Sequence, residues 1–449
     1  MCIKLILVLS LFFSLVFVFF IFFIYKFYRK AFFDSVTNLY NQVYFREKTL
    51  KLLKKNTEKK YSLIATNIAH FRTIYGSYGP RLGNIILRYF AKCVSLIRKD
   101  ALVARAKEDK FQILLSYKTK DEIIDFLEKL SVEVHKFHSD EMSTKLFIRC
   151  GVGLLDGKVD FYNMLSYVEL ARKEAIKHGI VYYFFNDEMA QKLHKEKEFS
   201  DLMEGALSKG EFKVYYQPKY DILTNQVIGA EALVRWASSK FGFLRPDEFI
   251  PIFEQNGFIV EIDFFVLEEV CKMLRKELDE GRKPKPVSVN QSRMHLSQPN
   301  YIERMQKILE KYNLPKGLVE LELTETVHMD LRKACKTMIE LKKLGYMLSI
   351  DDFGNGYSSF PILFNVPIDT LKIDKDFLYS VGNLKIKEVL LKMVVEMTKE
   401  LKLNLICEGV ERPEHVQFLL ANNCRNAQGN FYSSPVSQED YLKESYLKK

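Results

Sequence analysis

The sequence predicts an α/β protein: a C-terminal TIM-type (β/α)8 barrel, preceded by a smaller α+β domain and an N-terminal transmembrane helix. Three observations support this prediction. The chain has 449 residues, and domains usually contain about 100–200 residues each. Its C-terminal half alternates short apolar runs with longer amphipathic ones, which is typical of strands followed by helices. Its first residues are almost entirely apolar.

The first segment has the length and composition of a membrane span. From Leu5 to Tyr25 only two serines interrupt the apolar run, which matches the roughly 20 residues that a spanning helix needs. No small-residue cleavage motif follows it, which argues against a cleaved signal peptide. Residues 1–30 are therefore predicted to be an uncleaved anchor. Because Lys26, Arg29 and Lys30 follow, we expect a single-pass inner-membrane protein with its catalytic domains in the cytoplasm.

The amino-acid composition only slightly restricts the classes of binding partner. The formal net charge of +10 favours anionic partners such as nucleotides or a membrane surface. The alternative is an ordinary lysine-rich surface, because the lysines are dispersed along the chain. The 7 cysteines are scattered without a C-x-x-C pair, which argues against a disulfide framework and favours a reducing compartment.

Residues 34–187 form the predicted smaller domain. An amphipathic helix contains Lys51–Lys55, and strands are predicted at Tyr61–Ile68, Phe111–Tyr117 and Phe147–Leu155. Helices and strands in this order indicate an α+β or α/β unit.

A polar, helix-prone connection follows at residues 187–211, and the second soluble domain is predicted to cover residues 195–449. Its apolar runs read as buried parallel strands. These runs are Val214–Pro218, Ile228–Trp236, Val287–Ser292, Val319–Thr326, Leu348–Gly354, Thr370–Lys375, Leu405–Glu411 and Asn426–Pro435. Strands that alternate with helices in this number predict a (β/α)8 barrel. An open doubly wound sheet is the weaker alternative, because no glycine-rich loop follows the first strand.

Each of these runs ends in or near a polar residue, and barrel active sites lie at the C-terminal ends of the strands. The candidates are Gln217, Glu231, Arg235, Asn290, Glu322, Glu325, Asp351, Asp352, Lys372, Glu408, Glu411 and Gln428. So many carboxylates on one rim would repel one another without cations. Oxygen ligands favour Mg²⁺ or Mn²⁺, and two such ions are the usual device for phosphodiester cleavage. Arg235 and Lys372 suit phosphate and water positioning. The alternative for Glu325 and Glu411 is a helix cap or loop brace.

Several motifs in this region resemble the EAL family of cyclic-di-GMP phosphodiesterases over residues 212–436. They are YQP before EALVRW (Glu231–Trp236), DDFGNGYSS (Asp351–Ser359), KID (Lys372–Asp374), EGVE (Glu408–Glu411) and QG (Gln428–Gly429). The resemblance implies a homodimeric TIM-barrel enzyme that opens cyclic di-GMP to linear pGpG with two Mg²⁺ or Mn²⁺ ions.

The resemblance also implies a role for each candidate. Glu231, Asn290, Glu322 and Asp351 would hold the first metal, and Asp351 would bridge to the second beside Asp352 and Glu408. Lys372 would contact the nucleophilic water, and Glu325 would brace the loop after Asp352. Gln217 and Arg235 would touch the substrate, while Glu411 and Gln428 would complete the outer ligation. The competing function is a non-catalytic cyclic-di-GMP receptor, and no nucleic-acid partner is expected.

The smaller domain resembles an eroded member of the GGDEF family of diguanylate cyclases. Its opening, Asp34–Phe45, follows that family's pattern, but Asn67 stands where a metal carboxylate is usual, and Lys107–Phe111 (KEDKF) replaces the signature. Asp109 alone survives among the metal acids. We therefore expect no cyclase activity and no inhibitory site. A scaffold, a dimerisation element and a regulatory GTP binder remain open, although the lost guanine contacts at Tyr75 and Asn84 argue against the last.

Overall fold

The computed structural model describes residues 17, 19–20, 26–56, 58–156, 160–298, 300–324, 331–353, 363–379 and 384–446. The chain divides into two compact units, residues 1–194 and 195–449.

The N-terminal unit is built on a sheet in which the described strands follow the order β1-β3-β4-β2-β5-β6. The predicted strands correspond to β2, β4 and β5, and the central strand β2 is antiparallel to both of the others. The elements are β1 (Tyr40–Asn41), α1 (Gln42–Lys55), β2 (Lys60–Ile68), α2 (Phe71–Ile97), β3 (Leu102–Lys107), β4 (Lys110–Tyr117), α3 (Lys120–His135), β5 (Ile148–Leu155), α4 (Phe161–Lys177) and β6 (Tyr182–Phe184).

The C-terminal unit is a closed barrel, as the sequence predicted. The described barrel strands follow the order β10-β11-β12-β13-β14-β15-β7-β8, and pairing of β10 with β8 closes the circle. A short strand β9 extends β8. The strands are β7 (Phe212–Asp221), β8 (Gln226–Ser238), β9 (Gly242–Leu244), β10 (Val287–Gln291), β11 (Val319–Thr324), β12 (Met347–Phe353), β13 (Thr370–Ile373), β14 (Asn404–Cys407) and β15 (Asn426–Ala427).

Helices lie between many of the barrel strands, as the alternation of short apolar and longer amphipathic runs predicts. Apart from α5, which precedes β7, they lie after β9 and after later strands of the barrel, and two helices in succession follow both β9 and β13. They are α5 (Asp187–Ser208), α6 (Pro246–Asn256), α7 (Ile259–Asp279), α8 (Tyr301–Tyr312), α9 (Leu331–Leu344), α10 (Asp376–Tyr379), α11 (Leu384–Glu400), α12 (Pro413–Ala421) and α13 (Gln438–Tyr446).

The prediction of an all-parallel barrel is wrong for β7, which is antiparallel to both of its neighbours. Its link to β8 consists of residues 222–225, whereas a parallel crossover needs about a dozen residues or more. Asp221 caps this turn, because its Oδ1 accepts the N–H groups of Leu223 and Thr224 at 2.9 and 3.1 Å. The chain therefore descends the barrel along β7 and rises again along β8.

An aromatic cluster fixes the outward face of β8. Trp236 is fully buried and packs against Phe212, Phe249 and Phe253, while its indole N–H donates to Glu211 at 3.0 Å. Truncating such a residue to alanine typically costs about 3–5 kcal/mol. Since side chains alternate along a strand, anchoring the even-numbered residues outward turns the odd-numbered ones into the barrel.

The prediction of a transmembrane helix is contradicted by the structure. Among the described residues, no helix combines the length and the apolar content that crossing a membrane requires. The apolar run Leu5–Tyr25 falls almost wholly outside those residues. The helical stretch 26–32 that follows carries Lys26, Arg29 and Lys30, and a span needs about 20 apolar residues. The predicted localisation, a single-pass protein of the inner membrane, depends on that helix and is therefore wrong as well.

Candidate active site

Lys372 lies at the centre of a ring of carboxylates inside the barrel. Its side chain on β13 is fully buried. Its Nζ lies near one oxygen of each of four acids, Glu408 (2.5 Å), Glu322 (2.6 Å), Asp351 (3.4 Å) and Glu231 (3.5 Å). The contact with Glu322 is an aligned hydrogen bond. The contact with Glu408 is an ion pair outside hydrogen-bond geometry, since Glu408 Oε1 has no hydrogen-bond partner among the described residues.

Two amides hold the carboxylate of Glu231. Asn290 Nδ2 donates to its Oε1 and Gln428 Nε2 to its Oε2, both at 2.7 Å. Gln428 Nε2 also donates to Gln217 Oε1 at 3.0 Å, and Gln217 Nε2 donates to the carbonyl of Ser433 at 3.2 Å. Asn290, Gln428 and Gln217, which lie on or directly after three different strands, are thus linked to Glu231 in one network.

Burial raises the pKa of two of these four acids. It raises the pKa of Glu408 to about 8, with Asp351 and Glu231 adding to the effect of burial and Lys372 opposing it. It also raises the pKa of Glu231. Burial acts on Glu322 in the same direction, but Lys219 and Lys372 outweigh it and lower the pKa of Glu322 to about 2. The negative charge of these four acids therefore exceeds the positive charge that Lys372 and Lys219 supply.

Asp352 lies beside the ring with its side chain turned towards Asp374. Its φ of +57° is in the left-handed region, and its N–H donates to Asp351 Oδ1 at 3.0 Å. Burial, the Asp351 charge and a hydrogen bond with Asp374 together raise its pKa to about 6. Asp376, which follows, is exposed, and its N–H donates to Asp374 Oδ1 at 2.7 Å.

The other predicted site residues lie apart from the ring. Arg235 is half-buried on β8, where its Nη1 donates to the carbonyl of Val234 and its guanidinium lies 5.9 Å from the ring centroid of Tyr215. Glu411 is exposed and accepts the Tyr379 hydroxyl at 2.5 Å. Glu325 lies outside the described residues.

Sequence reasoning missed Lys219. This lysine of β7 is buried, and its Nζ lies 3.0 Å from Glu322 Oε1 and 3.3 Å from Glu320 Oε2. It also donates to Ser288 Oγ at 2.7 Å. The sequence feature that could have identified it is its position two residues after Gln217, because residues two apart in a strand lie on the same face.

In the N-terminal unit, the surviving acid of the eroded signature accepts a hydrogen bond from a neutral amide, which a basic side chain holds in turn. Asn67 Nδ2 donates to Asp109 Oδ2 at 3.2 Å, and Arg172 Nη1 donates to Asn67 Oδ1 at 2.8 Å. Glu108 at the tip of the β3–β4 hairpin has a φ of +50° and forms an ion pair with exposed Arg72. Protein side chains therefore occupy the surroundings of Asp109.

The family model of the EAL domain matches residues 201–435, which include the whole ring and cover more than half of the chain. The chain belongs to the EAL family. N-terminal to this EAL domain, the model described as "Diguanylate cyclase, GGDEF domain" matches residues 31–179. The predicted order of the two domains is confirmed.

Curated relatives are similar to this chain over most of its length. The signaling protein YkoW of Bacillus subtilis is 29% identical over 428 residues, covering 92% of this chain and 53% of YkoW. The cyclic di-GMP phosphodiesterase NbdA of Pseudomonas aeruginosa is 29% identical over 423 residues, covering 92% of this chain and 54% of NbdA. The chain thus spans about half the length of these relatives. A solved structure of the PaMucR phosphodiesterase in complex with c-di-GMP is 30% identical, with a TM-score of 0.52, and covers 55% of this chain and 100% of that one.

The donors of the EAL domain fit divalent cations by chemistry and by charge. Six carboxylates, those of the ring with Glu320 and Asp352, face the two ammonium groups of Lys219 and Lys372, a formal excess of four negative charges. Buried carboxylates in such excess require cations or protons. However, no group of three or more acidic, histidine or cysteine side chains in the described part of the chain is arranged to hold an ion. The acids converge on Lys372 instead.

Proposed function

We propose that this protein hydrolyses cyclic di-GMP to linear pGpG with the aid of two Mg²⁺ or Mn²⁺ ions. The observation that carries the proposal is the buried ring around Lys372. Its four acids come from three barrel strands and from the position after β14, and their formal charge exceeds that of the lysine. The relative NbdA is named a cyclic di-GMP phosphodiesterase, and the PaMucR structure is a c-di-GMP complex.

The proposed metal ligands are the oxygen donors gathered at the strand ends. Bound ions would activate water and stabilise charge on the phosphate. The Asn290 and Gln428 amides orient Glu231, so that this acid is held before any ion arrives. The proposed ligands are Glu231, Asn290, Glu322, Asp351, Asp352 and Glu408.

Lys372 is proposed to contact the nucleophilic water. Its four carboxylate neighbours raise its pKa well above the usual value, although burial opposes them. The side chain is therefore an ammonium at neutral pH, which can donate hydrogen bonds but cannot accept a proton. Its role would be to orient the water and the ligands, and the proton of that water must go elsewhere.

Gln217, Arg235 and Gln428 are proposed to contact the substrate. Arg235 suits a phosphate because its guanidinium has no described carboxylate partner within ion-pair distance and is half-buried. Glu325 and Glu411 are proposed supports of the site. The exposed position of Glu411, where it accepts Tyr379 and Asn430, favours a loop brace over direct chemistry.

The protein is proposed to act as a homodimer through one face of α11. This face is apolar and exposed: Ile386, Val389, Leu390 and Met393 are between 47% and 64% exposed. The opposite side packs inward through Leu391, which is fully buried. Exposed apolar patches mark interaction sites, and a second copy is the favoured occupant because α11 connects the strands of Lys372 and Glu408.

The GGDEF-like domain is proposed to lack cyclase activity. Asp109 is its surviving metal acid, and it accepts a hydrogen bond from Asn67, which is itself held by Arg172. One carboxylate with an amide neighbour cannot hold the two cations that this chemistry needs. The scaffold function is favoured over nucleotide binding for the same reason.

A turnover assay on the full chain tests the main proposal. Cyclic di-GMP with Mg²⁺ or Mn²⁺ should give pGpG, detected by chromatography, and Asp351→Asn should reduce kcat by at least about 100-fold. Asp376→Asn is the matched control, because Asp376 is an exposed acid outside the ring. Tight binding of cyclic di-GMP without product in either metal would instead establish the receptor function.

A further inference from the structure

A second polar layer lies in the barrel beneath the ring around Lys372. Lys219, Ser288 and Glu320 are buried there. Lys219 Nζ donates to Ser288 Oγ, and it pairs with both Glu320 and Glu322. Glu322 is shared between the layers, since its Oε1 faces Lys219 at 3.0 Å and its Oε2 faces Lys372 at 2.6 Å.

The antiparallel direction of β7 places Lys219 in this lower layer. Gln217 pairs with Glu231 of β8, and Lys219 pairs with Gly229. Because β7 descends where β8 rises, Lys219 lies below the level of Glu231. Gly229 allows the neighbouring backbone to approach closely, because a Cβ there would lie 2.8 Å from the carbonyl oxygen of Pro286, while Lys219 Cδ would lie at an ordinary contact distance of 3.9 Å.

The position of Lys219 allows two effects on cation binding, and they have opposite signs. As a charge, Lys219 repels a cation near Glu322, so its removal would strengthen metal binding. As a hydrogen-bond donor, it fixes one oxygen of Glu322 and leaves the other directed into the ring, so its removal would weaken metal binding. A carboxylate that is held by a neighbouring donor binds a metal without paying for its own orientation.

We propose that Lys219 is a positioning residue of the phosphodiesterase site, which holds Glu322 Oε1 so that Oε2 is presented to a divalent cation. This inference rests on the proposed function. Three contacts at 2.7–3.3 Å on a buried lysine support orientation over simple charge balance. Ser288 is itself anchored, because its hydroxyl donates to the carbonyl of Ala230 at 3.3 Å.

The test is the affinity of the full chain for Mn²⁺ without substrate, measured by calorimetry, together with kcat and the Mn²⁺ concentration that gives half-maximal turnover. Lys219→Met should raise the Mn²⁺ dissociation constant at least about tenfold, which corresponds to about 1.4 kcal/mol. Lys342→Met is the matched control, because it breaks another lysine–carboxylate pair of the barrel, with Asp369. It should leave Mn²⁺ affinity unchanged.

The proposal would be overturned if the Mn²⁺ dissociation constant of Lys219→Met were unchanged or lower than that of the wild type. If this variant does not fold by circular dichroism, the double variant Lys219→Met/Glu320→Gln removes one buried charge of each sign and is judged by the same criterion. If neither variant folds, Lys219 is a core residue without a positioning role, and the proposal fails. Mn²⁺ binding by the wild type without turnover would refute the proposed function alone, because the binding comparison would still stand.

Discussion

Lys372 Nζ donates to Glu322 Oε2 at 2.6 Å, and neither side chain is exposed to solvent. This pair joins the upper ring of acids to the lower layer, since Glu322 also binds Lys219. A buried ion pair is costly to break, because removing one partner leaves the other charge without compensation. The pair therefore makes barrel stability depend on the charge balance of the candidate active site.

Lys372→Met should destabilise the metal-free protein by about 3–5 kcal/mol, because four acids lose their shared cation. Mn²⁺ should restore a large part of this loss by supplying positive charge at the same place. The measurement is urea unfolding in chelator and in Mn²⁺. Exposed Lys375→Met is the control and should change neither curve. An equal loss with and without Mn²⁺ would contradict the prediction.

Removing divalent metal should lower the melting temperature of the wild-type protein. Six acids face two lysines in the two layers, so a bound cation relieves repulsion in the folded state only. Ligand linkage predicts about 2.7 kcal/mol of stabilisation at 100 times the dissociation constant. Asp351→Asn should abolish most of the Mn²⁺-dependent shift. A shift of the same size in that variant would place the ions elsewhere.

The sequence predicts the barrel and most of the ring because both depend on local patterns. Each short apolar run is typical of a buried strand. The carboxylates of Glu231, Glu322 and Asp351 lie close together because the C-terminal ends of parallel strands meet at one side of a barrel. The direction of β7 was missed, although the short link after Asp221 contained the information.

Lys219 was missed for a related reason. In an all-parallel barrel, a residue beyond the YQP motif would lie above the mouth, whereas in the antiparallel strand it lies below Glu231. Glu411, a motif neighbour of Glu408, is exposed, and its supporting role stays a prediction. Depth in the barrel depends on strand direction and on the turn after each strand, and neither follows from an apolar pattern.

Asp34 should give the N-terminal unit a pH-dependent stability. Burial alone would raise its pKa, but hydrogen bonds from Thr37 and the charge of Arg105 lower it. A carboxyl whose pKa is lower in the folded state stabilises the protein above its unfolded pKa of about 4. Asp34→Asn should therefore cost about 1 kcal/mol at pH 7, and the difference should shrink as the pH falls below about 4. Exposed Asp140→Asn, measured in the same melting series, should show neither effect.

The exposed face of α11 should control self-association. Met393→Glu places a charge on a side chain that is 64% exposed within the apolar patch. If a second copy covers this face, the dimer should weaken by about 3 kcal/mol, or roughly 100-fold in Kd. Analytical ultracentrifugation over a concentration series measures the change. Leu223→Glu is the control, because Leu223 is 58% exposed in the turn between β7 and β8. Identical dimerisation of both variants would exclude this face as the interface.

Glu108→Gly should stabilise the N-terminal unit by about 0.5–1 kcal/mol, because the residue has a φ of +50° that favours glycine. The substitution also removes the ion pair with Arg72, but that arginine is 85% exposed, and such surface pairs contribute little. Glu108→Gln separates the two effects, since it removes the charge and keeps the strained backbone. Thermal melting should therefore rank Glu108→Gly above the wild type and Glu108→Gln close to it. If Glu108→Gly were less stable than the wild type but more stable than Glu108→Gln, the ion pair would outweigh the backbone strain at this turn. If Glu108→Gly were less stable than Glu108→Gln, backbone strain at this position would be refuted.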